Sequence, residues 1–433
     1  MKLTAHRIFR NTLAAIDIPE VLARKMDRRA SRIRVHKATV DLREYRDILA
    51  IAFGKAAFAM AHGFTQILAP EYSIDGMLVV PSLPSHDLLG WITFIGGHPV
   101  PNAQSFDAGC AILDRLARCD ERTLVFFLIS GGGSSLVEQP LDPGTNLEDF
   151  QKLNSALVTC GAPIKEINII RKHLSAIKGG RLAAAAPRST KLTFAISDVP
   201  TGEESSLASG PTLPDTSTIA SAEEVLRRYG LREKFPSSIR RIFDERKLRE
   251  TPKPGDAAFA RSHFDLLLGE HELTHAAHHS CEAEGYICVC DTSADNWPLE
   301  KAADHLLALL ESQKRANPKH RVAVLADGEV ISPVTGDGTG GRNSAFVLTC
   351  VPKIADKKIT VLSAGTDGID GNSPAAGAVA DGRSLATAKA AGLDPADFLR
   401  RSDAYNFFAG LGDAIVTGPT GNNLRDLRIL LAD

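Results

Sequence analysis

Four loops of the chain join glycine to short polar side chains: Ser130-Gly131-Gly132-Gly133-Ser134-Ser135, Gly336 to Asn343 (GDGTGGRN), Gly365 to Gly371 (GTDGIDG) and Gly418 to Asn423 (GPTGNN). Glycine lets a backbone approach a ligand closely and turn successive N–H groups toward one anion. A helix that starts directly after such a loop adds its positive end. Tight turns that merely need positive φ are the other reading of one loop. Four in one chain favour a polyanionic ligand. None is read as a Walker motif or as the dinucleotide fingerprint G-x-G-x-x-G.

Charged residues near these loops suggest partners for such an anion. Lys55 follows Gly54 at a strand-to-helix turn and would meet phosphate oxygens as a point charge. In INIIRKHLSAIKGG a helical reading puts Arg171, Ser175 and Lys178 on one face, opposite Ile170, Leu174 and Ile177. That row suits a carboxylate or phosphate, or is a solvated charged face. Asp198 directly follows a strand, where an acid serves Mg²⁺, a substrate hydroxyl or a helix cap. Asp367 and Asp370 lack the calcium-loop spacing and its closing glutamate, which leaves Mg²⁺ held by one carboxylate and ligand phosphates.

His271 to His275 (HELTH) matches H-E-x-x-H, the two-histidine zinc helix of metalloproteases. Its context argues against that chemistry. Leu273, Ala276, Ala277, Ser280 and Cys281 form a small apolar stripe for packing, while His275, His278 and His279 fall on the outer face. No third ligand stands out downstream.

The elements that must position these residues alternate between apolar strand-like runs and longer amphipathic segments. Runs at Asp47–Phe53, Gly76–Val80, Ile92–Ile95, Thr123–Ile129 and Leu192–Ile196 predict a parallel or mixed sheet covered by helices, an α/β fold. The charged, proline-containing segment Lys247–Ala260 is the expected domain junction, with the strand rhythm restarting at Phe264–Leu268. This gives two domains, 1–250 and 260–433, as a length of 433 residues suggests. A net charge of −2 gives no reason to expect nucleic acid or an anionic membrane as partner. The apolar runs are too short for membrane helices, and the N-terminal segment reads as a surface helix. Seven scattered cysteines without a C-x-x-C pair fit a reduced cytoplasm.

Taken together, FGKAAFAMA (53–61), GGHPVPNAQSFDAG (96–109), LISGGGSSL (128–136) and GAPIKEINIIRKHLSAIKGGRLA (161–183) resemble the glycerate 2-kinase family. The resemblance continues through ISDVPTGEESSLASGPTLPDTST (196–218), GTGGRNSAF (338–346), SAGTDGIDG (363–371) and VTGPTGNNLRDL (416–427), and so covers nearly the whole chain. It implies an N-terminal Rossmann-like three-layer α/β/α domain, a C-terminal MOFRL α/β domain and an active-site cleft between them. It further implies ATP- and Mg²⁺-dependent phosphorylation of D-glycerate, or a related small hydroxy-acid, at the 2-hydroxyl. Lys55 and Arg342 match the family's catalytic cations, with Asp198 as hydroxyl-orienting acid or metal ligand. On this reading Ser130, Gly131, Gly132, Gly133, Ser134 and Ser135 hold nucleotide phosphates, Asp367 takes Mg²⁺, and Arg171 and Lys178 grip the acid's carboxylate. A homodimer is the candidate assembly. Some relatives carry the label hydroxypyruvate reductase, which makes a nicotinamide-dependent reductase the main rival, ahead of a zinc hydrolase and a non-catalytic binding protein. The chain departs from the family pattern at Ser344 and Ala345, where Gln-Glu is usual, and at Asn422 and the SDVPTGEESS segment.

Overall fold

Apolar runs of seven residues recur along the chain, and most become strands covered on both faces. The computed structural model describes residues 1–35, 38–197, 199, 202–422 and 424–433. It forms two compact units, one of residues 18–267 and one of residues 1–17 with 268–433.

In the first unit a small antiparallel sheet of β1 (Arg28–Arg29), β2 (Arg32–Val35) and β3 (Ala38–Asp41) precedes the main sheet. The main sheet holds β4 (Asp47–Phe53), β5 (Ile74–Val80), β6 (Trp91–Ile95), β7 (Thr123–Ile129), β8 (Thr190–Ile196) and β9 (Ser262–Leu268). Their spatial order is β6-β5-β4-β7-β8-β9. The β4 strand pairs in parallel with both β5 and β7, while β6 joins β5 and β8 joins β7 in the same sense. Every residue of β7 and β8 is buried, as continuous apolar runs predict for parallel strands flanked by helices. Counted from β4, the order is that of doubly wound sheets, in which ligands sit at the carboxyl ends where the order reverses. Here the reversal falls between β4 and β7.

The second unit contains β10 (Tyr286–Cys290), β11 (Arg321–Asp327), β12 (Ile359–Gly365), β13 (Gly377–Asp381), β14 (Ala414–Ile415) and β15 (Asp426–Ala432). Its order is β10-β11-β15-β12-β13-β14, parallel only between β10 and β11. Antiparallel β15 therefore begins at the edge where β11 and β12 end. The helices Leu299–Ala316 and Arg342–Cys350 cover this sheet, burying Leu306, Leu310, Phe346 and Val347.

Two expectations about the domains need correction. The run Phe264–Leu268 does not open the second domain; it lies in β9, the edge strand beside β8. The Lys191 N–H donates to Arg261 O (2.8 Å), and the buried Lys191 ammonium donates to Ala258 O (2.9 Å) and Ala186 O (2.8 Å), tying the approach to β9 onto β8. The N-terminal helix Lys2–Ala15 also belongs to the second unit. It buries Ala5, Ile8 and Phe9 and forms ion pairs from Lys2 to Asp413 (2.6 Å) and from Arg7 to Glu284. Among the described residues no helix is long and apolar enough to cross a membrane.

Candidate active site

At the strand-order reversal the chain leaves β4 through Gly54 with φ +127°. A Cβ there would lie 2.1 Å from Ser130 Oγ and 2.5 Å from Ser130 O, so only glycine permits this approach. The two loops are joined in consequence. The Ala56 N–H donates to the buried Ser130 Oγ (3.0 Å), and the Lys55 N–H donates to Gly131 O (2.9 Å). The Lys55 side chain is exposed and has no carboxylate partner among the described residues.

Gly132, at φ +83°, packs so closely that an added Cβ would stand 3.3 Å from Lys55 Cγ and 3.4 Å from His98 Cε1. Gly133 lies against the Phe53 ring and Ala208. The N–H groups of Gly131 and Gly132 have no acceptor among the described residues. Ser134 Oγ meets Ser209 Oγ at 2.9 Å, and that hydroxyl donates to Asn168 Oδ1 (3.1 Å). Ser135 Oγ is 3.1 Å from His98 Nδ1. Burial, and then the charge of Lys55, lower the pKa of His98 below the ordinary histidine value. His98, Ser209 and Asn168 were not singled out from sequence, although all three lie in quoted stretches.

The Arg171–Lys178 row is not one helical face. Its helix runs Ile164–Leu174 and stops at Ser175, whose backbone is extended (φ −105°, ψ 139°). Ser175 Oγ donates to Glu138, and the Lys178 ammonium, 2% exposed, is paired with the other oxygen of the same carboxylate. Burial pulls Lys178 below its ordinary pKa, against the charge and hydrogen bond of Glu138. With its charge satisfied inside the protein, Lys178 is unsuited to gripping a substrate. Arg171 is half-buried and donates from Nε to Asn154 Oδ1 (3.1 Å); burial lowers its pKa, opposed by Glu138. Asp198 lies outside the described residues.

The second unit gathers its polar residues at the edge shared by the ends of β11 and β12 and the start of β15. Arg342 opens the helix Arg342–Cys350 and is held from two sides. Its Nε donates to Asp426 Oδ2 (2.5 Å), and its Nη1 donates to Glu329 Oε2 (2.8 Å). Burial works against this charge, but the hydrogen bonds and charge of Asp426, followed by those of Glu329, hold the guanidinium above its ordinary value. A Cβ on Gly365 would stand 2.9 Å from Asp367 Oδ1 and 3.5 Å from Asp426 Oδ1, so both carboxylates flank one side-chain-free position. Asp367 Oδ1 also accepts from the Ile369 N–H (3.0 Å).

Asp370 has a different task. It is buried and accepts from the Asn343 N–H (2.9 Å), the Ser344 N–H (2.8 Å) and Ser344 Oγ (2.6 Å), which caps the start of that helix. Burial raises its pKa, opposed by these bonds. Ser344, a departure from the family pattern, thus has a definite partner. The loop Gly336–Gly341 does carry the spacing G-x-G-x-x-G, but residues 328–335 separate it from β11, unlike a dinucleotide turn.

HELTH sits at the start of the helix Glu270–Ala283, where Glu272 Oε2 accepts from the Gly269 N–H (3.0 Å). The motif glutamate caps its own helix. Among the described residues no three His, Cys, Asp or Glu side chains come together to hold a metal ion.

Residues 4–244 match a family model described as a domain of unknown function, DUF4147, and residues 322–426 match the MOFRL family. A D-glycerate 2-kinase of Thermotoga maritima is 33% identical over 399 residues, spanning 92% of this chain and 93% of the relative. A putative hydroxypyruvate reductase of Agrobacterium vitis is 34% identical over 397 residues, 88% of this chain and 86% of that one. The crystal structure of a glycerate kinase from Thermotoga maritima superposes with a TM-score of 0.87 at 31% identity, covering 100% of this chain and 99% of the other.

Proposed function

Because the chain belongs to the glycerate kinase family, with its MOFRL domain, we propose that it is an ATP-dependent kinase converting D-glycerate to 2-phosphoglycerate. The substrate 2-hydroxyl oxygen attacks the terminal phosphorus of ATP, the bond to ADP breaks, and the hydroxyl proton passes to a base. Such a transfer depends mainly on positioning and on charge stabilisation.

The observation that carries this reading is the joined pair of loops at the reversal between β4 and β7. Lys55 is a cation without a competing carboxylate among the described residues, beside Gly131 and Gly132, whose N–H groups are open there. That combination suits phosphate oxygens and negative charge developing on the transferred group. Ser130 shapes the turn from within, and Ser134 and Ser135 are held by Ser209 and His98. On the second sheet Arg342 offers a guanidinium already oriented by Asp426 and Glu329.

Hard oxygen donors fit Mg²⁺, which takes one or two carboxylates and keeps its remaining positions for water and phosphate. Asp367, with Asp426 beside the same glycine, would hold it, and the ion would supply charge neutralisation. Arg171 is the cation suited to the acid's carboxylate, while Lys178 acts indirectly by fixing Glu138. Asp198 is retained as the residue that orients or deprotonates the hydroxyl, or shares Mg²⁺.

The test is incubation of the purified chain with Mg·ATP and a panel of hydroxy-acids, with products identified by phosphorus NMR. Formation of 2-phosphoglycerate from D-glycerate is expected. A 3-phosphate product would overturn the position of attack, and absence of transfer to any acid would overturn the kinase reading. The strand order of the first sheet and the reductase-labelled relative favour a second reading, a nicotinamide-dependent hydroxypyruvate reductase. Oxidation of NADH by the same preparation with hydroxypyruvate would support it.

A further inference from the structure

The outer face of the helix Glu270–Ala283 carries histidines that phosphoryl transfer leaves unused. Spacing of four residues stacks His275 and His279 on one face. Both are exposed, and their Nε2 atoms converge to 3.1 Å. Glu282 Oε2 stands 3.6 Å from His279 Nδ1, the ring nitrogen pointing away from that meeting. These groups line an open depression of about 610 Å³.

We propose that His275 and His279 bind one divalent cation of the zinc, nickel or copper class through their two Nε2 atoms. Imidazole suits these metals. At metal–nitrogen distances of about 2.0–2.1 Å, nitrogens 3.1 Å apart subtend roughly 98° at the ion, between octahedral and tetrahedral angles. The ring centroids are 4.4 Å apart, so small rotations of the two exposed side chains aim both nitrogens at one ion. Without metal the same separation is a hydrogen bond, one Nε2–H donating to the other nitrogen; on metal binding the donor ring takes its other tautomer, its proton passing through solvent to Nδ1. Glu282, 3.6 Å from His279 Nδ1, stands on the side of the ring where a carboxylate favours the tautomer that leaves Nε2 free for a metal. No third side chain completes the group among the described residues, so water fills the remaining positions and the site is an open one. It is also not the pair named by H-E-x-x-H: His275 meets His279, whereas Glu272 of the motif is occupied at Gly269.

Calorimetric titration of the whole chain with nickel chloride, and separately zinc chloride, tests this. One site per chain with a dissociation constant in the micromolar range is expected. His275→Ala and His279→Ala should each weaken binding at least about tenfold, the loss of one of two imidazole ligands. His271→Ala should leave it unchanged. All three positions are exposed, and circular dichroism with the more conservative His279→Gln separates lost binding from lost folding. Absence of binding overturns the proposal. So does binding that depends on His271 or Cys290 and survives His279→Ala.

Discussion

Lys55 and Arg342 are the two cations that the family resemblance pairs in catalysis, yet they stand in opposite electrostatic conditions. Lys55 is exposed beside open backbone N–H groups, and no acid among the described residues competes for it. Arg342 lies between Asp426 and Glu329, so one positive charge faces two negative ones. The difference separates two ways a cation contributes. A mobile ammonium contributes field strength, whereas a clamped guanidinium contributes donors in fixed directions. Both carboxylates compete with a phosphate for this guanidinium, so Mg²⁺ at Asp367 and Asp426, or the withdrawal of one carboxylate, would open it to the ligand.

Removal of Lys55 gives the largest expected effect. Lys55→Ala should lower kcat by about 10²–10³-fold, the usual loss when a donor to developing negative charge is deleted. Lys55→Arg should recover only part of it. A mutant that loses ATP affinity alone, with kcat intact, would place Lys55 in binding and erase the contrast with Arg342. Gly54→Ala acts on folding instead. The added methyl meets Ser130 backbone at a positive φ, for a cost on the order of 3 kcal/mol, read from the denaturant midpoint.

The clamp on Arg342 divides unequally. Asp426 is almost fully buried, with 5% of its side chain exposed, whereas Glu329 is 47% exposed. Asp426→Asn should therefore lower kcat by about 10-fold or more, since a well-oriented charge-assisted bond is weakened, while Glu329→Gln should change it less than about 3-fold. Equal effects would mean that the two carboxylates act as one unit. A gain in kcat for Glu329→Gln would identify Glu329 as the group that gives way to phosphate.

What was legible in the sequence was local. Gly54-Lys55 and the Ser130–Ser135 loop announced themselves because close backbone approach permits few residue types. The apolar runs announced strands because buried parallel strands need no alternation. Partners supplied by distant parts of the chain were not legible. Asp426 is 84 residues from Arg342 and reaches it only through the pairing that sets Gly365 opposite Asp426. The helical reading ran past Leu174 because Glu138, 37 residues from Ser175 and 40 from Lys178, claims both side chains, which no helical period records. The run Phe264–Leu268 was recognisable as a strand but not as a member of the first sheet. Spacing also named His271 and His275, whereas His275 and His279 meet.

The smallest effect tests the first edge most directly, through His98. Partial burial and the charge of Lys55 hold its imidazole below the ordinary histidine pKa and favour the neutral ring, with Nδ1 3.1 Å from Ser135 Oγ. A depressed pKa means that the folded chain binds fewer protons than the unfolded one near that value. The stability this contributes is present above the ordinary histidine pKa and is lost as pH falls through the folded value. A phosphate beside Lys55 offsets the positive charge that His98 feels and favours the imidazolium. Binding of a non-hydrolysable ATP analogue should therefore raise the His98 pKa, and by linkage the analogue should bind more tightly as pH falls through it. Proton NMR of the His98 ring, assigned with His98→Gln, follows both titrations. Lys55→Ala should raise the pKa of the free protein and shrink the increment on binding, because the cation that the phosphate offsets is already gone. A pKa unmoved by the analogue would separate His98, and with it the Gly131–Ser135 loop, from the bound phosphates, leaving Lys55 to hold them without that loop.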